Sequence, residues 1–182
     1  DRPKRGSHRA YVAVQTDTYT LTATLELDKG RTRSSEEKLV AELILNEVAD
    51  ACQVDERHSM RLRDVETVQL ARTIADSEWR DLILGRTDAT CLGPAPDEGN
   101  STSGVIFPGA FNPRHEGHEQ MALAAENILG VPVEFELSLE NVDKPILDYT
   151  ELSQRLSQFG ADQSVWLTRA ATFVEKSAVF PN

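Results

Sequence analysis

The chain has 182 residues, 40% of them of hydrophobic type, a length and composition that suit one ordinary globular domain or two small ones. Acidic residues outnumber basic ones by 30 to 19, and a net charge of −11 argues against nucleic acid and anionic membranes as partners. No apolar run approaches a membrane span, and the start Asp1-Arg2-Pro3-Lys4-Arg5 lacks a signal-peptide core, so the expected compartment is cytoplasmic. The first residue is not Met, which suggests an excised or processed piece. Cys52 and Cys91 have no CxxC spacing, and two reduced thiols are expected, Cys52 packed on a helix.

The segment from His8 to Thr16 contains Tyr11-Val12-Ala13-Val14. From Tyr19 to Leu27, Tyr19, Leu21, Ala23, Leu25 and Leu27 alternate with Thr20, Thr22, Thr24 and Glu26. Period-two alternation in β-formers predicts strands, and the short connection between them predicts an antiparallel hairpin. Lys29-Gly30-Arg31 ends the second strand, and Ser34 with Glu37 has capping-box spacing. A helix is expected from there to Val54, with Leu39, Val40, Leu43, Ile44, Val48 and Cys52 at helical spacing. Further helices are expected over Val65 to Ala75 and Glu78 to Leu84, with Gly85 at a helix end.

Residues 93–104, rich in Gly, Pro, Ser and Asn, predict a linker between a first segment, 1–92, and a second domain, 105–182. The order then alternates. Strands are expected at Val105 to Phe107, Val133 to Leu139 and Val165 to Thr168, and helices at Glu119 to Leu129, Thr150 to Phe159 and Phe173 to Phe180. Alternation of this kind implies an α/β fold with a parallel sheet, whose ligands sit beyond the carboxyl ends of the strands. At that edge lie the loop Asn141 to Asp148 and the stretch from Gly109 to His118. The latter reads as a strand–loop–helix turn, where backbone N–H groups and the helix dipole can hold an anion.

Gly109-x-Phe111-x-Pro113-x-His115-x-Gly117-His118 resembles, position for position, the signature of the HxGH nucleotidylyltransferase superfamily. Gly109 leaves room for backbone to approach phosphate, Pro113 stiffens the loop and Gly117 allows a tight turn. The resemblance implies a Rossmann-like fold and transfer of a nucleotidyl group from a nucleoside triphosphate, ATP with Mg²⁺, by direct attack on the α-phosphorus. His115 and His118 would contact the triphosphate, in a nucleotide site made of Gly109, Phe111, Asn112, His115, Gly117 and His118. Asn141-Val142-Asp143-Lys144-Pro145 and Arg155 are similar in layout to nicotinate- or nicotinamide-mononucleotide adenylyltransferases, which makes Lys144 the expected second cationic ligand and places Thr168 and Arg169 near the acceptor. Residues 6–55, through Lys29-Gly30-Arg31 and Glu36-Glu37-Lys38-Leu39-Val40, resemble the second half of a CinA-type C-terminal domain. No amidase site is carried over from that likeness.

The expected architecture is therefore a small α+β segment before an incomplete Rossmann-like parallel sheet, whose open edges a missing C-terminal part, the first segment or a second copy in a homo-oligomer would cover. The expected function is nucleotidyl transfer to a mononucleotide or similar phosphate acceptor in NAD metabolism. The alternative is a module that binds nucleotide or phosphate without turnover, because the downstream Ser/Thr and Arg motif of the superfamily has no counterpart before Asn182. Two other readings stay open: His115 and His118 as helix caps, or as zinc ligands lacking a third partner in sequence. The likeness of His115-Glu116-Gly117-His118 to the HIGH element of class I aminoacyl-tRNA synthetases finds no basic patch to support it.

Overall fold

A computed structural model describes residues 6–94 and 105–180. The N-terminal pentapeptide and most of the expected linker lie outside the described residues. The chain divides into two compact units, Asp1–Ile74 and Ala75–Asn182, so the division falls before the expected linker and the segment after Ile74 belongs with the second unit.

The first unit is a three-stranded antiparallel sheet, β1 (His8–Gln15), β2 (Tyr19–Leu27) and β3 (Thr67–Ile74), in the order β1-β2-β3, with helix α1 (Arg33–Ala51). The expected hairpin is present. Leu21, Ala23, Leu25 and Leu27 of β2 pack with Leu39 and Leu43 of α1, so the odd face of the strand meets the helix. Two expectations are corrected. The cap of α1 is Thr32, whose Oγ1 accepts from the Ser35 N–H at 3.3 Å, not Ser34. The helix turns Leu39, Leu43 and Glu47 inward at a spacing of four, leaving Ile44, Val48 and Cys52 exposed, so Cys52 is not packed.

The third correction is larger: Val65 to Ala75 is not a helix. Thr67–Ile74 pairs antiparallel with β2, Val68 opposite Leu25 and Leu70 opposite Ala23. As an edge strand it leaves Leu70 and Ile74 in solvent while Val68 packs on the core, and Arg72 interrupts the alternation of Val68, Leu70 and Ile74 with Thr67, Gln69 and Thr73.

Glu66 holds the chain at the entrance to this strand. Its buried carboxylate accepts from Arg31 Nε, from Arg31 Nη2 at 2.6 Å, from the Asp28 N–H at 3.0 Å and from the Arg63 N–H at 2.8 Å. The Arg31 hydrogen bonds, chiefly, hold this carboxyl down at about 2, against an ordinary 4.5.

The second unit contains α2 (Ser77–Ile83), β4 (Ala89–Leu92), β5 (Val105–Pro108), α3 (Glu116–Leu129), β6 (Val133–Ser138), α4 (Tyr149–Leu156), β7 (Val165–Thr168) and α5 (Phe173–Val179). The sheet order is β4-β7-β6-β5. β5, β6 and β7 are parallel neighbours in chain order. The expected all-parallel sheet is corrected to a mixed one: β4 pairs antiparallel with β7, Cys91 opposite Trp166. Its four residues are too few to show a pattern.

The two faces of β6 differ. Phe135 and Leu137 join Leu167, Phe111, Leu147, Tyr149 and Leu152 in an apolar core. On the other face Glu134 accepts from Trp166 Nε1 at 2.6 Å and Glu136 is fully buried. Burial, chiefly, pushes the Cys91 thiol up to about 11, away from the thiolate form. Among the described residues no helix is long and apolar enough to cross a membrane.

The Glu66→Gln variant tests the Arg31–Glu66 closure. At neutral pH it is expected to cost about 3 kcal/mol, because it strips a charge partner from Arg31. A carboxyl with a lowered folded pKa stabilises fully above its unfolded value, so the difference from the parent should shrink as pH falls from 4.5 towards 2. Urea unfolding followed by far-UV circular dichroism measures it; a difference independent of pH contradicts the account.

Candidate functional site

The loop after β5 is seated by Phe111. This residue has a φ of 44° and is 1% exposed. Its ring meets Phe107, Phe135 and Phe159 edge-on at centroid distances of 6.1, 5.5 and 5.3 Å, and touches His118 at 5.2 Å. Gly109 is required by that ring: a Cβ there would lie 2.6 Å from Phe111 Cζ. The clearance expected to admit phosphate is thus filled by the chain's own aromatic side chain, and Phe111 anchors the loop instead of offering its ring to a ligand.

Polar contacts hold the outside of the loop to the region of α4. Gln158 Nε2 donates to the Phe111 carbonyl at 2.8 Å, and Gln158 Oε1 accepts from the Arg114 N–H at 2.7 Å. Arg155 Nη1 donates to the Ala110 carbonyl at 3.2 Å. The Arg114 guanidinium lies 4.7 Å from the centroids of both Phe135 and Phe159 and donates to Gln163 Oε1 at 2.7 Å. Arg155 and Arg114 therefore shape the loop backbone. Asn112 is exposed and lines a small cavity of about 180 Å³ with Pro113 and Arg155.

The two histidines come together at the start of α3. His115 is the N-cap in an extended conformation, and its N–H donates to His118 Nδ1 at 3.1 Å. The His118 N–H donates to the His115 carbonyl at 2.9 Å. The rings stack with centroids 3.9 Å apart and planes 30° from parallel. This bond assigns the tautomer of a neutral His118: with Nδ1 accepting, the ring proton is on Nε2. The capping role and an outward donor are thus compatible, because they use different nitrogens. Gly117 makes room for the pair, since a Cβ there would lie 3.1 Å from His115 Cε1.

The local charge is mixed. Glu116 and Glu119 occupy the first turn of α3, where carboxylates favour the helix but compete with an anion. Glu116 accepts from Gln120 Nε2 at 2.9 Å, and Glu119 lies 3.8 Å from Arg114. Among the described residues no group of three or more His, Cys, Asp or Glu could hold a metal ion, so the zinc reading gains no third ligand.

The other expected residues are more scattered. Lys144 is exposed, in a turn closed by a bridge to Asn141. Thr168 is fully buried and donates to Glu136 Oε1 at 2.5 Å. Arg169 donates to Glu140 Oε1 through Nε at 2.8 Å and Nη2 at 2.5 Å. His8 Nδ1 lies 2.6 Å from Glu36 Oε1, whereas His58 is exposed.

Lys176, Glu136 and Ser138 went unread in the sequence. Lys176 Nζ donates to Glu136 Oε2 at 2.6 Å and to Ser138 Oγ, beside a cavity of about 210 Å³ at the carboxyl ends of the parallel strands. The available signal was Glu136 itself: a carboxylate inside a central strand demands a cation or several donors. Comparison with protein-family models, curated proteins and solved structures finds no match.

Gly109→Ala tests the seating of Phe111. The added methyl group meets a ring confined by three others, and the variant is expected to lose about 1–3 kcal/mol of stability. Tryptophan fluorescence during thermal unfolding reads the second unit, because Trp79 and Trp166 both lie in it. An unchanged melting temperature would show that Phe111 is not lodged over Gly109.

Proposed function

We propose that the β5–α3 loop binds the triphosphate of a nucleoside triphosphate, ATP by preference, and that the second unit is a nucleotidylyltransferase of Rossmann-like fold acting on a mononucleotide or similar phosphate acceptor. The observation that carries the reading is the stacked His115–His118 pair at the amino end of α3, with His118 Nε2–H left to donate. The pair lies beyond the carboxyl end of a strand in a parallel set, the edge where such sheets hold ligands. A fourteen-residue helix adds its dipole and first-turn N–H groups to the same point.

In this reading an acceptor oxygen attacks the α-phosphorus, the bond to the bridging oxygen breaks, and pyrophosphate leaves with the electron pair. The transition state spreads negative charge over phosphoryl oxygens, so donors held in place serve it better than a general base. His118, fixed by its Nδ1 bond and its contacts with Phe107 and Phe111, supplies one such donor; the exposed His115 ring supplies the second. In this reading Mg²⁺ arrives with the substrate as its triphosphate complex. That complex also lessens repulsion from Glu116 and Glu119.

Calorimetric titration with Mg·ATP tests the proposal. His118→Ala and His115→Ala should each weaken binding about tenfold to a hundredfold, the worth of one hydrogen bond to a charged group. Incubation with ATP, nicotinamide mononucleotide and pyrophosphatase should yield dinucleotide. Mg·ATP affinity unchanged in both variants contradicts the site; binding without product supports a nucleotide-binding module instead.

A further inference from the structure

The first unit keeps a sheet edge and a helix stripe open side by side. Among the described residues β1 pairs only with β2, so its outer row of backbone N–H and C=O groups has no strand beside it. Its one formally charged residue is Arg9 and it contains no proline, so it carries little of what blocks pairing at an edge. Between this edge and α1 runs a groove of about 880 Å³, walled by Ala10 and Leu27 of the sheet and by Val40, Ala41 and Ile44 of the helix. The apolar stripe continues along α1 to Val48, with Ile44 43% and Val48 47% exposed. The core of the unit uses another side of the helix, that of Leu39 and Leu43.

Geometry decides what suits the groove. Helix α1 lies over β1 and β2, since Leu39 and Leu43 pack with Leu21, Ala23 and Leu25, and Ala10 and Val12 adjoin them. It runs along β1: His8 Nδ1 meets Glu36 Oε1 near the helix start, and Tyr19, just past the end of β1, donates to Asp50 Oδ2 at 3.0 Å near the helix end. Val12, at mid-strand, is therefore level with the middle of α1, where Ile44 stands. Paired strands lie about 4.8 Å apart, so two β1 strands related by a two-fold axis would hold their helices about 10 Å apart, a distance at which helices pack. A lone peptide strand would pair with the edge and leave the α1 stripe bare. A second copy covers both.

Register and charge agree with a copy. Antiparallel pairing centred on Val12 sets Ala10 opposite Val14 and Tyr11 opposite Ala13, so every side chain keeps its face, and Tyr11, 72% exposed, gains an apolar neighbour. About the same axis Ile44 meets its own counterpart and Val40 meets Val48. The ionic groups on the groove walls are of both signs, Arg9, Arg31 and Arg33 against Glu36 and Glu37, so a copy meets no single-signed field here despite the net charge of −11.

We infer that β1 and α1 form an isologous homodimer interface: two three-stranded sheets join edge to edge into one of six strands, and the two α1 helices pack antiparallel through Val40, Ala41, Ile44 and Val48. The inference is independent of the nucleotidyl-transfer reading.

Sedimentation equilibrium of the full chain, combined with amide hydrogen exchange over a concentration series, tests it. The parent should sediment as a dimer, and the amides of residues 8–15 should gain protection as the dimer fills, while those of β3, β4 and β5, the edges left open, should not. Ile44→Lys, at a position exposed in the monomer, sets two like charges at the axis. It should keep the far-UV circular dichroism of the parent, raise the dimer dissociation constant about a hundredfold and remove the added protection. Ile44→Leu should keep the dimer. A chain that stays monomeric up to about 1 mM overturns the inference. So does a dimer whose protection falls on another edge, or one that Ile44→Lys leaves intact. Protection of residues 8–15 in a monomer would show that another segment of the same chain covers β1, and overturns it as well.

Discussion

Phe111 and Gly109 compete for the same space, and that competition organises the second unit. A side chain at 109 would crowd the ring at 111, the ring that makes the loop's apolar contact with the core. With it, the loop backbone is carried over Phe107, Phe135 and Phe159, and His118 is set against the same aromatic group. Arg114 then covers the far side of this cluster, and Gln158 and Arg155 bond the loop carbonyls that the turn leaves behind. The outcome is a polar loop on an apolar foundation. Its histidines are held in place by contacts within the chain itself.

The opposite face of β6 is built on charge. Glu134 and Glu136 meet Trp166, Thr168 and Lys176, in an arrangement where each buried acceptor finds a donor. The two faces meet at the carboxyl edge of the sheet. There the Gly109–Ala110 backbone leads to the histidine pair on one side and lines the Lys176 cavity on the other. Two chemically different donor groups thus flank one short stretch of backbone.

Much of this was legible in the residues. The alternation from Tyr19 to Leu27 located β2 because burial on one face writes a period into the sequence, and the succession of apolar runs and helical segments from Val105 to Thr168 located the parallel strands. The motif from Gly109 to His118 marked the loop. The meaning of its glycine was not legible, since room for a ligand and room for a neighbouring ring demand the same residue. β3 was hidden because Arg72 breaks the alternation of Val68, Leu70 and Ile74 with polar residues and little of the strand is buried, and β4 because four residues hold too little pattern. Lys176 escaped because it lies far along the chain from Glu136, and only the fold brings a helix lysine to a strand carboxylate.

The central claim is that the loop presents a fixed imidazole donor to a triphosphate, and imidazole nitrogen NMR addresses it directly. Long-range proton–nitrogen spectra of the neutral rings should show His118 as the Nε2–H tautomer. Addition of Mg·ATP should move the His118 and His115 nitrogen signals while those of His8 and His58 stay in place. An Nδ1–H tautomer at His118, or histidine signals indifferent to Mg·ATP, would contradict the account.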